Sequence, residues 1–294
     1  MNPYFFGCFM ALASAFLWAV ASLIWGYLNK KQISPVAINL GKTILACFCF
    51  VAAALFIRSD AIDGKNYFFL FLSGLLGVSI GDTSFFYSLK YLGPRISVLL
   101  AAFIPIATVL LAFLFLHESL SFFQWLGILA CIYGIVVVLK ERNPCAEQII
   151  DKKRGIIWAL VSVISCSVSV LISKTVLTTV GAFAASVVRL EAGAIGLLVY
   201  CAFNRKCFYD VKCLLKPGLL GWLFLGSFLG TFLGIWFSLA ALKYTLASIA
   251  TVLNATSPIF ILPLAFWFLK EKLSPKTLWG TIVAVIGVAL VLIF

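Results

Sequence analysis

Four ionisable side chains lie deep inside apolar stretches of this chain: Lys42, Asp82, Arg189 and Glu191. On insertion scales each costs roughly 2.5–3.5 kcal/mol at the bilayer centre, so each is expected to face a cavity or a partner. Lys42 and Arg189 are cations suited to a carboxylate or phosphate on a guest. Asp82 and Glu191 are carboxylates of the kind that proton coupling or amine recognition needs. Structural ion pairs, such as Asp82 with Lys42, are the competing reading. Arg189 and Glu191 are two apart, about 200° around a helix, so they do not point at one spot. Asn39, Ser84, Asn254 and Thr256 are uncharged polar candidates. Trp18, Trp25, Tyr87 and Trp236 are candidates for an apolar lining.

The stretches that carry these residues define the class. The chain has 294 residues, 64% hydrophobic and 11% charged, with mean hydropathy +1.15, against about half apolar and a quarter charged in soluble domains. Apolar runs of about 20 residues recur along it, the length that crosses hydrocarbon as a helix. They do not alternate as barrel strands do. The reading is an all-α membrane protein with ten transmembrane helices, near 4–26, 35–57, 67–91, 95–116, 121–139, 155–177, 182–203, 218–243, 247–269 and 275–294. The first run is long and lacks a basic leader, so it reads as a span and not a cleaved signal. Ser34-Pro35 and Ser274-Pro275 place a capping hydroxyl before a helix-starting proline.

Several functions are disfavoured. The net charge of +12 is spread over short loops, which is a topological signal and not a nucleic-acid footprint. No P-loop is present. Nine cysteines form no CxxC pair and His117 is the one histidine. The cysteines therefore read as small buried hydrophobes, without a metal site or disulfide framework. A lipid-modifying membrane enzyme would need partners that His117 lacks.

The chain repeats itself. Gly77–Gly134 moved forward by 153 residues lands without a gap on Gly230–Gly287, and 20 of 58 positions are identical. Pro105 falls on Pro258, Glu118 on Glu271 and Lys90-Tyr91 on Lys243-Tyr244. Lys42 and Arg189 also correspond, at offset 147, whereas Asp82 and Glu191 have no twins. Five spans on either side of a polar stretch predict two inverted five-helix repeats, 1–142 and 155–294, joined by a linker at 143–154. Inverted repeats are a common transporter build, with substrate at their interface. Ser73, Gly77 and Gly81 recur as Gly226, Gly230 and Gly234. These stripes suit static packing or a sliding face equally. Pro105 and Pro258 remove helical hydrogen bonds, and serve as plain bends or as hinges. Glu118 and Glu271 read as surface turn residues favouring the helix that follows each. Loop charge puts 16 Lys and Arg on one face against 3 on the other; by the positive-inside rule both termini lie outside the cytoplasm.

The pattern Pro105 … Phe115-Leu116-His117-Glu118 … Gly127 … Gly134 recurs as Pro258 … Phe268-Leu269-Lys270-Glu271 … Gly280 … Gly287. Over nearly the whole chain it resembles the EamA-type branch of the drug/metabolite transporter superfamily. His117 and Lys270 stand where that turn commonly has Gly. The resemblance implies a ten-helix inverted-repeat fold in the cell (inner) membrane, with cytoplasmic termini. It implies export or exchange of a small metabolite, often an amino acid or related compound, driven by an ion gradient or a counter-substrate. It also implies a cavity lined by spans 1, 3, 4, 6, 8 and 9, which places Trp18, Asp82 and Asn254 near the path and Lys42 and Arg189 further out. A substrate-binding set of Trp18, Lys42, Tyr87, Arg189, Trp236 and Asn254 follows, with Asp82 and Glu191 coupling protons and Pro105 and Pro258 as hinges. The expected partners are a small-molecule substrate, lipid, and protons or a counter-substrate, with no cofactor, and the chain works as monomer or homodimer. The alternative is a passive channel or a non-catalytic membrane subunit.

Overall fold

A computed structural model describes residues 2–29, 33–57, 62–141, 151–257, 259–260 and 275–293. Its elements are helices: α1 Pro3–Asn29, α2 Pro35–Ala54, α3 Gly64–Gly74, α4 Asp82–Ala101, α5 Phe103–Phe115, α6 Phe122–Glu141, α7 Lys152–Val176, α8 Ala182–Ala202, α9 Arg205–Leu214, α10 Pro217–Gly226, α11 Gly234–Tyr244, α12 Ala247–Asn254 and α13 Pro275–Ile293. Wide-turned π segments, Leu75–Gly81 and Ser227–Leu233, join α3 to α4 and α10 to α11. Among the described residues, six helical stretches are long and apolar enough to cross a bilayer. Phe103–Phe115, Phe122–Val137 and Leu278–Ile293 are shorter apolar helices. The span read near 247–269 is described only in its first part, and Pro258, Lys270 and Glu271 lie outside the described residues.

Local chemistry sets the helix starts. Ser34 Oγ accepts from the Ala37 N–H, with Pro35 in the first turn. Ser121 and Gln124 form a reciprocal capping box at the start of α6. Helical backbone runs on across Gly93-Pro94, yet the chain reverses there. Ser88 Oγ donates to Ser97 Oγ at 2.8 Å, whereas nine residues of straight helix span about 13.5 Å. The stretch between α8 and α10 holds a helix of its own. In α9, Cys207, Asp210 and Leu214 are buried while Tyr209 is exposed.

Glycines let backbones touch where lipid supplies no hydrophobic drive. A Cβ built on Gly287 would lie 2.6 Å from Gly127 O, and one on Gly134 would lie 2.6 Å from Ala284 N. That fixes the α6–α13 crossing. Contacts recur at matching positions. Gly77 and Gly81 face Ser169 and Cys166 of α7, while Gly230 and Gly234 face Ala21 and Trp18 of α1. Gly155 meets Leu92 as Gly7 meets Thr245. A Val at Gly134 is expected to lower the unfolding temperature in detergent, at a cost of about 1–3 kcal/mol. Ala at Gly218, whose surroundings are open, is expected to leave it unchanged. Equal shifts would contradict this packing.

Candidate functional site

The charged residues meet where α2, α4, α7 and α8 pack. Lys42 Nζ lies 2.9 Å from Asp82 Oδ2, with side chains 12% and 37% exposed. Lys42 also sits 5.4 Å from the Phe86 ring centroid, a cation–π distance. Arg189 donates through Nη1 to Ser173 Oγ at 2.8 Å and through Nη2 to Ser169 Oγ at 3.0 Å. Ser73 Oγ lies 2.6 Å from Ser173 Oγ and donates to Ser169 O. Asp82 is close enough to act electrostatically on Arg189, and Cys166 feels Asp82, Arg189 and Lys42. Among the described residues, Arg189 Nε is buried without a partner.

The π segments supply spare carbonyls, since a widened turn breaks the regular ladder. Asn39 Nδ2 donates to Val78 O at 3.1 Å. Trp18 Nε1 donates to Gly230 O and Ser14 Oγ to Gly234 O, each at 2.8 Å. The small-residue stripes therefore accept side chains from other helices as well as packing closely.

The remaining sequence candidates are spread out. Trp236 packs edge-on to Phe183 at 5.2 Å, within an aromatic cluster that includes Phe50 and Phe232. Asn254 Nδ2 donates to Ser238 Oγ at 2.8 Å. Tyr87 Oη lies 2.6 Å from Tyr200 Oη, and its ring stacks on Trp158. Exposed Glu191 accepts from Tyr67 Oη at 3.2 Å, away from Arg189. Pro105 is buried in the first turn of α5, just after a break at Ala102. The matching break at Ala255 ends α12.

Two expectations need correction. Cys201 and Cys207 form a disulfide linking α8 to α9. The α9 turn brings them together, which the apolar pattern around Cys201 hides. Glu118 is buried and does not serve the helix that follows it. Its carboxylate accepts from Ala247 N at 2.6 Å, Ser248 N at 3.1 Å and Ser248 Oγ at 2.7 Å. It thus caps α12 and answers that helix's orphan N–H groups and positive end. His117, just before it, holds φ at 51°. That left-handed conformation suits Gly, which is why Gly fits this turn better. Ser169, Ser173, Cys166, Tyr200 and Trp158 were missed. Ser165, Ser169 and Ser173, four apart in an apolar span, were the legible signal.

Apolar helices that hold an ion pair and a serine-cradled guanidinium in their midst define an integral multi-pass membrane protein. The chain belongs to the EamA-like transporter family, whose model matches residues 5–140 and again 153–293. It is similar to Protein LicB of Haemophilus influenzae, 23% identical over all of this chain and 98% of that protein. An uncharacterized transporter of Archaeoglobus fulgidus is 24% identical over 97% of both chains. A solved crystal structure superposes with TM-score 0.76 at 16% identity, over 97% of this chain and 96% of that one, and shares the fold. The family and the relative from Archaeoglobus fulgidus point to transport.

Two stability outcomes follow. Glu118→Ala is expected to lose about 0.5–2 kcal/mol of stability through the uncapped α12. His117→Gly is expected to raise the unfolding temperature, by about 1–2 kcal/mol of relieved strain. Thermal denaturation of the two variants with opposite signs checks both.

Proposed function

We propose that the protein is a secondary active transporter, an exporter or exchanger of a small polar metabolite, in the cell (inner) membrane. Its guest is an amino acid or related compound, and it works by alternating access. The observation that carries this reading is the Lys42–Asp82 pair beside Arg189, whose Nε has no partner among the described residues. Such charges are expensive in lipid and suit a substrate path. A guest's carboxylate is matched by Lys42 and Arg189, and its amine by Asp82. Trp18, Tyr87, Trp236 and Asn254 are candidates for lining the path as the helices move.

Asp82 has no counterpart in the second half of the chain, where Ile235 stands. That asymmetry suits one coupling carboxylate, with Glu191 as a second proton site. Protonating Asp82 would release Lys42 to the guest, so loading and proton uptake would be linked.

Motion has a route in the paired contacts. The reading supported by α1 on the second π segment and α7 on the first is of two inverted five-helix bundles, 1–142 and 155–294, rocking against each other. Breaks at Ala102 and Ala255, three residues before Pro105 and Pro258, suit hinges.

In proteoliposomes, counterflow of labelled amino acids is expected to saturate and to be stimulated by substrate on the far side. Asp82→Asn is expected to abolish proton-driven accumulation while the protein still folds and inserts. Non-saturating, ohmic flux would favour a channel. Accumulation unchanged in Asp82→Asn would remove Asp82 as the coupler.

A further inference from the structure

One cavity shares only Tyr87 with that reading. It measures about 130 Å³ and is lined by Ser34, Pro35, Val36, Tyr87, Lys90, Tyr200, Asn204 and Cys207. It sits at the start of α2, the end of α8 and the part of α4 just before its bend at Gly93-Pro94, against the first turn of α9. Its depth is that of the helix ends, where lipid headgroups lie. The space is about ten times what one water needs.

The lining is rich in unspent donors. Tyr87 and Tyr200 share one hydrogen bond, so one of their two hydroxyl hydrogens remains free to point elsewhere. Ser34 Oγ accepts from the Ala37 N–H, which leaves its own hydroxyl hydrogen available. The Asn204 side chain makes no capping bond to α9. Lys90 is exposed at the rim. Among the described residues, no carboxylate lines the space. Asp210, the nearby acid, is buried and accepts from Ser34 N at 3.0 Å, where it ties α9 to α2. The Cys201–Cys207 disulfide holds the wall in place from the other side.

Donors and a cation, with no acidic partner among the described residues, suit an anion with several acceptor oxygens. The surroundings indicate where that anion comes from. Helix α9 is amphipathic, with Cys207, Asp210 and Leu214 turned inward, and its segment carries Arg205, Lys206, Lys212 and, just beyond, Lys216. A basic amphipathic helix at the end of spanning helices lies in the headgroup layer and attracts anionic lipid.

We propose that this cavity binds the phosphate of an anionic phospholipid headgroup, with Lys90 as its cation and Ser34, Asn204 and the tyrosine pair as hydrogen-bond donors. The lipid would then bridge α2, α4 and α8 at the basic end of the molecule. The inference does not rest on which substrate is transported, and its test leaves Tyr87, the residue shared with that reading, unchanged.

The test is thermal unfolding of the purified full chain in detergent. The titrants are a short-chain phosphatidylglycerol, a short-chain phosphatidylcholine and inorganic phosphate. Phosphatidylglycerol is expected to raise the unfolding temperature saturably, and phosphatidylcholine is not. Lys90→Gln is expected to raise the half-saturating concentration about fivefold, the effect of one cation near a membrane surface. Lys90→Arg is expected to restore it, and Tyr200→Phe to weaken it. Lys65→Gln, at the opposite end, is expected to leave it unchanged. Equal responses to both lipids overturn the proposal. So does a phosphatidylglycerol response that Lys90→Gln and Tyr200→Phe leave intact. Inorganic phosphate acting as strongly as the lipid, through the same side chains, overturns the lipid source and assigns the cavity to a soluble phosphate.

Discussion

A charge inside hydrocarbon must be answered by the protein that carries it. Much of this structure follows from how Lys42, Asp82 and Arg189 are answered. Lys42 has a carboxylate and an aromatic face. Arg189 has two serines of α7, and the close approach is made by Gly74 at the end of α3, against the Arg189 backbone, and Gly77 in the first π segment, against Ser169 and Arg189. Substituting a larger residue at either glycine would therefore disturb the charge site as well as the packing. The balance is incomplete, since Arg189 Nε is left over.

The same constraint governs the backbone. Every carbonyl that a widened turn frees has to find a donor within the protein. Asn39, Trp18 and Ser14 supply donors from neighbouring helices. At the other extreme, helix ends are closed by long-range partners. Glu118 caps α12, and Lys174 Nζ donates to Leu242 O and Thr245 O at the end of α11. Lys243 Nζ donates to Val180 O beyond α7. These contacts tie α5, α7, α11 and α12 together at one end of the molecule, leaving the basic end with its own, separate fastening through Ser34 and Asp210.

Helical membrane class was legible because composition and run length admit little else. The small-residue stripes were legible as spacing: Gly77 and Gly81 recur as Gly230 and Gly234 at the repeat offset, and in space they press against α7 and α1, whereas the crossing of Gly127 and Gly134 with Gly280 and Gly287 was visible only as a repeat. The ion pair was legible because so few charges occur inside the spans. What stayed hidden depends on three-dimensional neighbours. Tyr200 and Trp158 look like any interfacial aromatics until α8 and α7 bring them to Tyr87. Glu118 looks like a turn residue because its helix lies 129 positions away. Cys201 looks apolar because its partner lies across a bend. Helix α9 is too short and too charged to stand out among long apolar runs, and periodicity over ten residues is a weak signal.

The central claim is that the Lys42–Asp82–Arg189 cluster belongs to a water-filled path that opens to one side and then the other. Labelling a cysteine at Thr83, beside Asp82, with a membrane-impermeant thiol reagent tests it most directly, in a chain whose accessible native cysteines are replaced. The account predicts labelling from both sides of the membrane, with a saturating guest or an imposed proton gradient favouring one side at the expense of the other. A position reachable from neither side, or from one side only under every condition, would contradict it.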